Sequence, residues 1–301
     1  MARRSGGLVP YAYVAPAAAI TVAGLLYPIV EAAKISFYDW GMGTPWGSAR
    51  WVGLRAFSET LANPQVWTSL GITGAFVLLA VSIEMVLGVA LALLLEKPVR
   101  GMRLYRTAFV LPMMVAPICV GLIWRYLFDA QFGPVNHLLG TVGIPPQEWL
   151  AVPGLAFTAM VIVDVWQWTA FVFIMVLAAL QGVDGSVTEA SRIDCASTWQ
   201  QIWLVKLPII RPLLVVTLLM RMIDGFRGLE VIYVMTFGGP GLSTELFSLH
   251  LYKAAFISQK LGHASVMSML LLAIVTLLSL GILKLANPLA AQRARGGPQV
   301  P

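Results

Sequence analysis

Four charged residues recur at a spacing of three in an otherwise apolar stretch: Arg221, Asp224, Arg227 and Glu230. On a helix such neighbours are within reach of one another. Asp224 lies about 18 Å of helix rise beyond Pro212, close to the middle of a bilayer about 30 Å thick. Ionisable groups at that depth are costly unless they pair or line a wet cavity. We therefore predict that Arg221, Asp224 and Arg227 line or gate a path; the alternative is a self-paired ladder that braces neighbouring helices, and for Glu230 the two interpretations are equal.

Two further carboxylates interrupt apolar runs elsewhere in the chain. Glu84 lies in the second long run, and Asp164 lies in the fourth beside Trp166 and Trp168. A carboxylate beside indole rings suits a polyol, because the acid accepts hydroxyl hydrogen bonds while the ring faces cover C–H groups. We predict that Glu84 and Trp166 belong to the same path. The alternatives are that Glu84 pairs with an arginine of another helix, that Asp164 lies at the membrane rim, and that both tryptophans only pack.

A polar island, residues 189–212, separates two apolar runs. Its first part has helix formers and is preceded by N-cap types such as Asp184. A second part, residues 197–207, resumes with apolar residues, and Pro208 and Pro212 mark a turn into the next run. The pattern predicts two short helices that meet at an angle beyond the membrane. A soluble DNA-binding helix-turn-helix has a similar local pattern but does not lie between membrane spans.

The elements that position these residues follow from composition. Of 301 residues, 58% are hydrophobic and only 11% are charged, against about 25% charged in soluble domains. Several uncharged runs approach the roughly 20 residues that cross a bilayer. The sequence therefore predicts an all-α polytopic membrane protein, one transmembrane domain over residues 1–301 whose core spans occupy 66–286 and whose loop occupies 183–212. We expect six helices, near 11–35, 66–96, 106–128, 154–182, 211–237 and 261–286.

We attribute the net charge of +6 to the membrane topology of the chain rather than to nucleic-acid binding. Lysine and arginine concentrate in four alternate segments, at 3–4, 97–106, 192–211 and 284–295. By the positive-inside rule, both termini and the island are cytoplasmic. The loops at 36–65, 129–153 and 238–260 then lie outside, and the Pro112 and Pro117 pair either bends the third span or only adjusts its end.

The island resembles the EAA loop of the permease subunits of binding-protein-dependent ABC importers of sugars, the maltose/trehalose type. The matching residues are Glu189, Ala190, Ile193, Asp194, Ala196, Trp199, Leu207, Pro208, Arg211 and Pro212. The resemblance extends to the stretch from Arg221 to Thr236 followed by Gly-Gly-Pro, and it covers nearly the whole chain. Two positions depart from the pattern: Cys195 stands for the turn glycine, and Val183–Asp184 stand for Ile-Pro. Either the turn at Cys195 avoids a positive φ, or the loop geometry is slightly altered.

The resemblance implies that the loop is a coupling helix seated in a groove of a cytoplasmic ATPase. It assigns this contact to Glu189, Ala190, Ser191, Asp194, Cys195, Ala196 and Pro208. The sequence contains no phosphate-binding Gly-x4-Gly-Lys-Ser/Thr motif, so ATP and Mg are expected on partner subunits, with no catalytic or metal site in this chain. Implied partners are two ATPase subunits, a second homologous permease or a second copy of this one, and an extracytoplasmic solute-binding protein.

The implied function is import of a sugar, a di- or oligosaccharide, across a bacterial or archaeal inner membrane by alternating access. Glycerol-phosphate or polyol solutes are alternatives. An ion-coupled secondary carrier that uses Asp224, Glu84 and Asp164 as relay sites is another. It explains the intramembrane acids but not the island, and no convincing internal repeat supports it. Nothing resembles the nucleophile–base pair or metal triad of a membrane enzyme.

Overall fold

The computed structural model describes residues 9–96 and 101–286. Nearly all of the described elements are helices, and one two-stranded hairpin lies between the first two of them. The helices are α1 Val9–Ile35, α2 Arg55–Ala62, α3 Pro64–Leu94, α4 Met102–Met114, α5 Pro117–Leu127, α6 Pro134–Thr141, α7 Pro153–Gln181, α8 Gly185–Ile193, α9 Thr198–Gln200, α10 Leu207–Arg227, α11 Glu230–Met235, α12 Phe247–Tyr252 and α13 Leu261–Ala286. The strands are β1 Tyr38–Asp39 and β2 Arg50–Trp51, and π-helical turns occupy Gln201–Lys206 and Lys253–Ile257.

Five stretches within the described ranges are long and apolar enough to cross a membrane, or six if a bent pair counts as one span. This confirms the all-α polytopic class. The predicted first, second, fourth and sixth spans match α1, α3, α7 and α13 to within two residues at each end. Length and apolarity locate these four helices, even though α1 contains Pro16 and Pro28, which membrane helices tolerate. The basic segments at 3–4, 97–100 and 287–295 lie outside the described residues.

The predicted third span, 106–128, is bent, which is the first of the two alternatives given for the Pro112 and Pro117 pair. It consists of α4 and α5, which meet at 97°. The break falls at Val115 and Ala116, and Pro117 opens α5 at its first turn. Proline has no backbone N–H and disfavours a helical residue before it, so a helix ends here and another begins. The carbonyl of Val115 accepts a hydrogen bond from Gln167 Nε2 at 3.2 Å.

The fifth span differs from the prediction at both ends. No turn marks Pro208 or Pro212, because an almost continuous helical path runs from Thr198 through the π-helical turns into α10, where Pro208 occupies the first turn. Proline is tolerated there because the first helical N–H groups have no intrahelical partner. The predicted helix over 211–237 instead stops at Arg227, and Glu230 begins α11 after a break at Gly228.

Backbone contacts divide the chain into two compact units, one formed by residues through Val66 and Leu251–Ala273, the other by Trp67–His250 and residues from Ile274 onward. In the second unit, α3, α7 and α10 bury an apolar core around Ala92, Val176 and Ile210. A second core joins α5, α7 and α11. Helices α3 and α7 are apolar on nearly all sides, so packing buries one apolar face of each helix and leaves other apolar faces exposed.

The first unit contains the hairpin and the start of α13. Tyr38 pairs with Trp51 and Asp39 with Arg50 across the strands. Arg55 and Glu59 form an exposed ion pair at 2.7 Å in α2, and the hydrogen bond from the guanidinium lowers the pKa of Glu59. These residues line a cavity of about 500 Å³. Every residue of α1 from 13 to 30 is exposed, which fits an apolar helix that lipid or another protein covers.

Helix α3 approaches α7 most closely at Gly88. A Cβ at this position would lie 2.5 Å from Cγ1 of Val172, whereas a Cβ at Gly71 of the same helix would meet nothing within 4 Å. We predict that Gly88→Ala lowers the free energy of unfolding by about 1–3 kcal/mol through overpacking. Gly71→Ala is the matched control and should gain up to about 1 kcal/mol of helix propensity. Thermal unfolding in detergent measures both, and equal effects would contradict the close packing.

Candidate functional site

A buried arginine from α10 joins carboxylates from two other helices in the second unit. Arg221 Nε lies 2.6 Å from Glu84 Oε2, and Nη2 lies 3.0 Å from Glu84 Oε1 and 3.0 Å from Asp164 Oδ2. The side chains of Arg221 and Glu84 are 1% and 0% exposed. The two-point contact with Glu84 is the planar, charge-assisted pairing that guanidinium groups make with carboxylates. The structure therefore contains the ion pair between Glu84 and an arginine of another helix, which is one of the alternatives that the sequence leaves open.

Two further groups face the same guanidinium. Trp168 lies beneath it, with the arginine Cζ 4.7 Å from the ring centroid, which is within the range of a cation–π interaction. Asp224 Oδ2 lies 4.0 Å from Nη1, and its side chain is 47% exposed. Arg221 is thus surrounded by three carboxylates and an indole, and only Asp224 among the three acids is largely open.

The open side of this cluster lines a cavity of about 220 Å³. Arg221, Asp224 and Arg227, three of the residues predicted on the path, line it. Its other charged or hydrogen-bonding side chains are Asp164, Gln167, Trp168 and Glu230. An aqueous pocket with carboxylates, guanidinium groups and an indole can hydrogen-bond hydroxyl groups and pack against C–H faces.

Two sequence predictions place residues differently from the structure. Trp166 does not line the cavity: it is 42% exposed and packs edge-on against Trp124 with ring centroids 5.5 Å apart. Its neighbour Trp168 lines the cavity instead, because two residues along a helix turn the side chain by about 200°. The alternative of a self-paired ladder of four residues on one helix does not hold in full, since Glu230 starts a new helix at the break after Arg227.

Gln167 is a site residue that the sequence does not predict. It is 1% exposed, donates from Nε2 to the carbonyl of Val115, and its Oε1 has no partner among the described residues. An uncharged amide carries no charge pattern, so only its place between two tryptophans marks it. Buried polar atoms without partners are uncommon in folded proteins, and this one faces the cavity side of α7.

The island folds as two capped helical segments. Asp184 accepts a hydrogen bond from the backbone N–H of Ser186 at the start of α8, and this bond lowers the pKa of Asp184. It therefore supplies the cap in place of the proline of the expected pattern. Ser197 and Gln200 form a reciprocal capping box at the start of α9, which satisfies two otherwise free backbone donors.

The turn between these segments keeps the geometry of a glycine turn. Cys195 has φ of 56°, so the alternative in which the turn avoids a positive φ is wrong. Ala196 N–H bonds the carbonyl of Ser191, and Cys195 N–H bonds that of Arg192. This is the Schellman pattern, in which the residue after the helix adopts the left-handed conformation. The hydrogen bonds hold a non-glycine residue in a strained conformation.

Four of the seven residues predicted for ATPase coupling are exposed. Glu189, Ala190, Asp194 and Cys195 are exposed, Ala196 and Pro208 are half-buried, and Ser191 is buried, with its hydroxyl on the carbonyl of Thr188. Large apolar side chains project from the same island: Ile193 is 81%, Trp199 68%, Trp203 53% and Leu204 72% exposed. Exposed apolar and aromatic side chains of this kind are typical of a surface that another protein or the membrane interface covers.

A broken set of apolar spans around a buried ionic cluster, with a capped helical island between two of the long helices, defines a multi-spanning membrane protein. Residues 84–295, more than half of the chain, match the family described as the binding-protein-dependent transport system inner membrane component. The chain belongs to this family.

Two relatives are similar to this chain over most of their own length. The chain is 33% identical to the trehalose/maltose transport system permease protein MalF of Thermococcus litoralis, covering 79% of this chain and 80% of that protein. It is 34% identical to the trehalose transport system permease protein SugA of Mycobacterium tuberculosis, covering 90% and 86%. Among solved structures, a bacterial ABC transporter that imports the acidic polysaccharide alginate has a TM-score of 0.80 at 19% identity, covering 93% of this chain and 95% of that one. The structural likeness shows the fold.

The central ion pair gives a stability prediction. Arg221→Met leaves Glu84 buried without its partner, so we expect the free energy of unfolding to fall by about 3–5 kcal/mol. Adding Glu84→Gln should recover a substantial part of that loss, because the unpaired charge is gone. Arg227→Met, which removes an exposed arginine of the same helix, is the control and should change little. Thermal unfolding in detergent measures all of these variants against the unmodified chain, and additive losses in the double variant would contradict the pairing.

The turn at Cys195 gives a second prediction. A left-handed residue with a Cβ costs about 1–2 kcal/mol relative to glycine, so Cys195→Gly should stabilise the island locally by about 1 kcal/mol. Amide hydrogen exchange in α8 should then slow by about fivefold. Cys195→Ala retains the Cβ and should show no such slowing, and an equal effect of both variants would contradict the strain.

Proposed function

We propose that this chain is the membrane-spanning permease subunit of an ATP-driven importer that passes a sugar, a di- or oligosaccharide, into the cytoplasm by alternating access. The observation that carries the proposal is the island, two capped helical segments on which Ile193, Trp199, Trp203 and Leu204 stay exposed. Such a surface needs a partner, and the sequence has no phosphate-binding motif of its own. The partner on this surface is therefore the ATP-hydrolysing subunit, which also binds the Mg and ATP.

The remaining assembly follows from family membership and from the relatives. A binding-protein-dependent transport system supplies solute from an extracytoplasmic binding protein, and a solved relative of the same fold was crystallised with a pentasaccharide-bound periplasmic protein. The proposed complex contains two ATPase subunits, this permease and a second permease subunit, in a bacterial or archaeal cytoplasmic membrane. The basic segments orient both termini and the island toward the cytoplasm.

The solute class rests on two observations. The named relatives transport trehalose or maltose, and the cavity combines carboxylates, guanidinium groups and Trp168. Asp224 and Arg227 are two of its exposed charged groups and are the proposed contacts to hydroxyl groups, whereas Glu84 acts by holding Arg221. An ion-coupled relay is disfavoured, because Glu84 and Asp164, two of its three acids, are both paired with Arg221.

The docking assignment is tested by Glu189→Ala combined with Asp194→Ala. In proteoliposomes that contain the ATPase, both permeases and the binding protein, we expect ATPase association and solute uptake to be lost together. Glu148→Ala removes an exposed acid from another loop and should leave both unchanged. Uptake that persists in vesicles without the ATPase would instead identify an ion-coupled carrier. Competition by trehalose, maltose and glycerol phosphate in the same assay identifies the solute class.

A further inference from the structure

A second ion pair joins the later part of the island to the end of α3. Lys206 Nζ lies 2.5 Å from Glu96 Oε2, and the two side chains are 11% and 22% exposed. Lys206 is the last residue of the π-helical turns, and Glu96 follows the end of α3 at Leu94. The contact joins residues far apart in sequence and is largely shielded from water, so it is not one of the exposed pairs that contribute little.

The Lys206–Glu96 pair and the Arg221–Glu84 pair both link the α3 region to the stretch that leads into and along α10, at different depths. Glu84 and Glu96 are separated by roughly 18 Å along α3, and each meets a cation from the stretch that leads into and along α10. Between the two pairs lies the dry core in which Ala92, Val176 and Ile210 pack. Close-packed interiors transmit displacement rather than absorb it. Helices α3, α7 and α10 therefore form one body with an ion pair at each end.

The island is joined to this body through an irregular segment. Residues Gln201–Lys206 are π-helical, a geometry that is rare and is concentrated at functional sites. Trp203 and Leu204 within it are exposed, whereas Lys206 is buried. Gln201 Nε2 bonds the carbonyl of Ala196 at 2.9 Å, so the start of this segment is tied to the turn. At its end, the charged side chain of Lys206 is held by a different helix.

We infer that Glu96 and Lys206 are positioning residues that set how much of each ATP-driven movement of the island reaches the transport path. Their ion pair fixes the later part of the island to α3, so that α3 and α10 move together and carry the cluster around Arg221 with them. Without the pair, the π-helical turns absorb the movement, and hydrolysis continues without transport. This inference rests on the proposed function, because it assumes that a partner ATPase pushes on the island.

The test measures solute imported per ATP hydrolysed in proteoliposomes with the complete transporter. Glu96→Gln and Lys206→Met each remove one charge, and the exchanged variant Glu96→Lys with Lys206→Glu restores a pair of opposite sense. We expect each single variant to assemble, to keep its ATPase rate within about twofold, and to lose about fivefold or more of the solute-to-ATP ratio, the size of a typical coupling between sites. The exchanged variant should recover most of that ratio.

Glu59→Gln is the matched control, because it breaks an ion pair of similar length on the exposed surface of α2 and should leave the ratio unchanged. Three results overturn the inference. Single variants could keep the wild-type solute-to-ATP ratio, or the exchanged variant could stay uncoupled. Single variants could also fail to assemble while the exchanged variant assembles, which would assign the ion pair to folding alone. A wild-type complex that hydrolyses ATP without importing any saccharide would instead reject the proposed function, whatever the variants do.

Discussion

The buried charge of Arg221 is the constraint on which the arrangement of the second unit depends. A guanidinium that is 1% exposed among apolar helices must be neutralised, since removing a charge from water costs several kcal/mol unless partners replace the hydration. Glu84 of α3 and Asp164 of α7 supply that replacement, each from a different helix. Three helices are therefore fixed in rotation and depth by one side chain. Apolar packing alone tolerates sliding, whereas a two-point ion pair does not.

The sequence predicts the spans wherever apolarity alone decides them, as at α3, α7 and α13. It fails where a local backbone conflict decides. The third span breaks before Pro117 and the fifth breaks at Gly228, although both stretches are apolar enough to cross a membrane. Counting apolar residues gives the length of a span. It does not show that a backbone carbonyl such as that of Val115 accepts a hydrogen bond from another helix. Hydrogen bonds of this kind between helices stabilise a break, and the sequence alone does not reveal them.

The candidate site is predicted in part for the same reason. Charge in an apolar run marks a residue unmistakably, so Arg221, Glu84 and Asp224 are found from residue type and position alone. Which tryptophan faces the cavity depends on helix phase, and the two candidates differ by two residues, so Trp166 and Trp168 are not distinguishable by type. Gln167 carries no charge and leaves only a weak signal. At Cys195 the residue identity suggests altered geometry, but the hydrogen bonds of the turn outweigh the preference of one residue.

The size of the cavity bears on how many chains build the path. About 220 Å³ is less than the roughly 300–1,000 Å³ that pockets for small molecules occupy. Asp224 and Arg227, which line the cavity, are exposed, whereas Glu84 is buried against Arg221. A cavity smaller than such pockets, with exposed charged groups in its lining, supports the proposal that a second permease subunit completes the path.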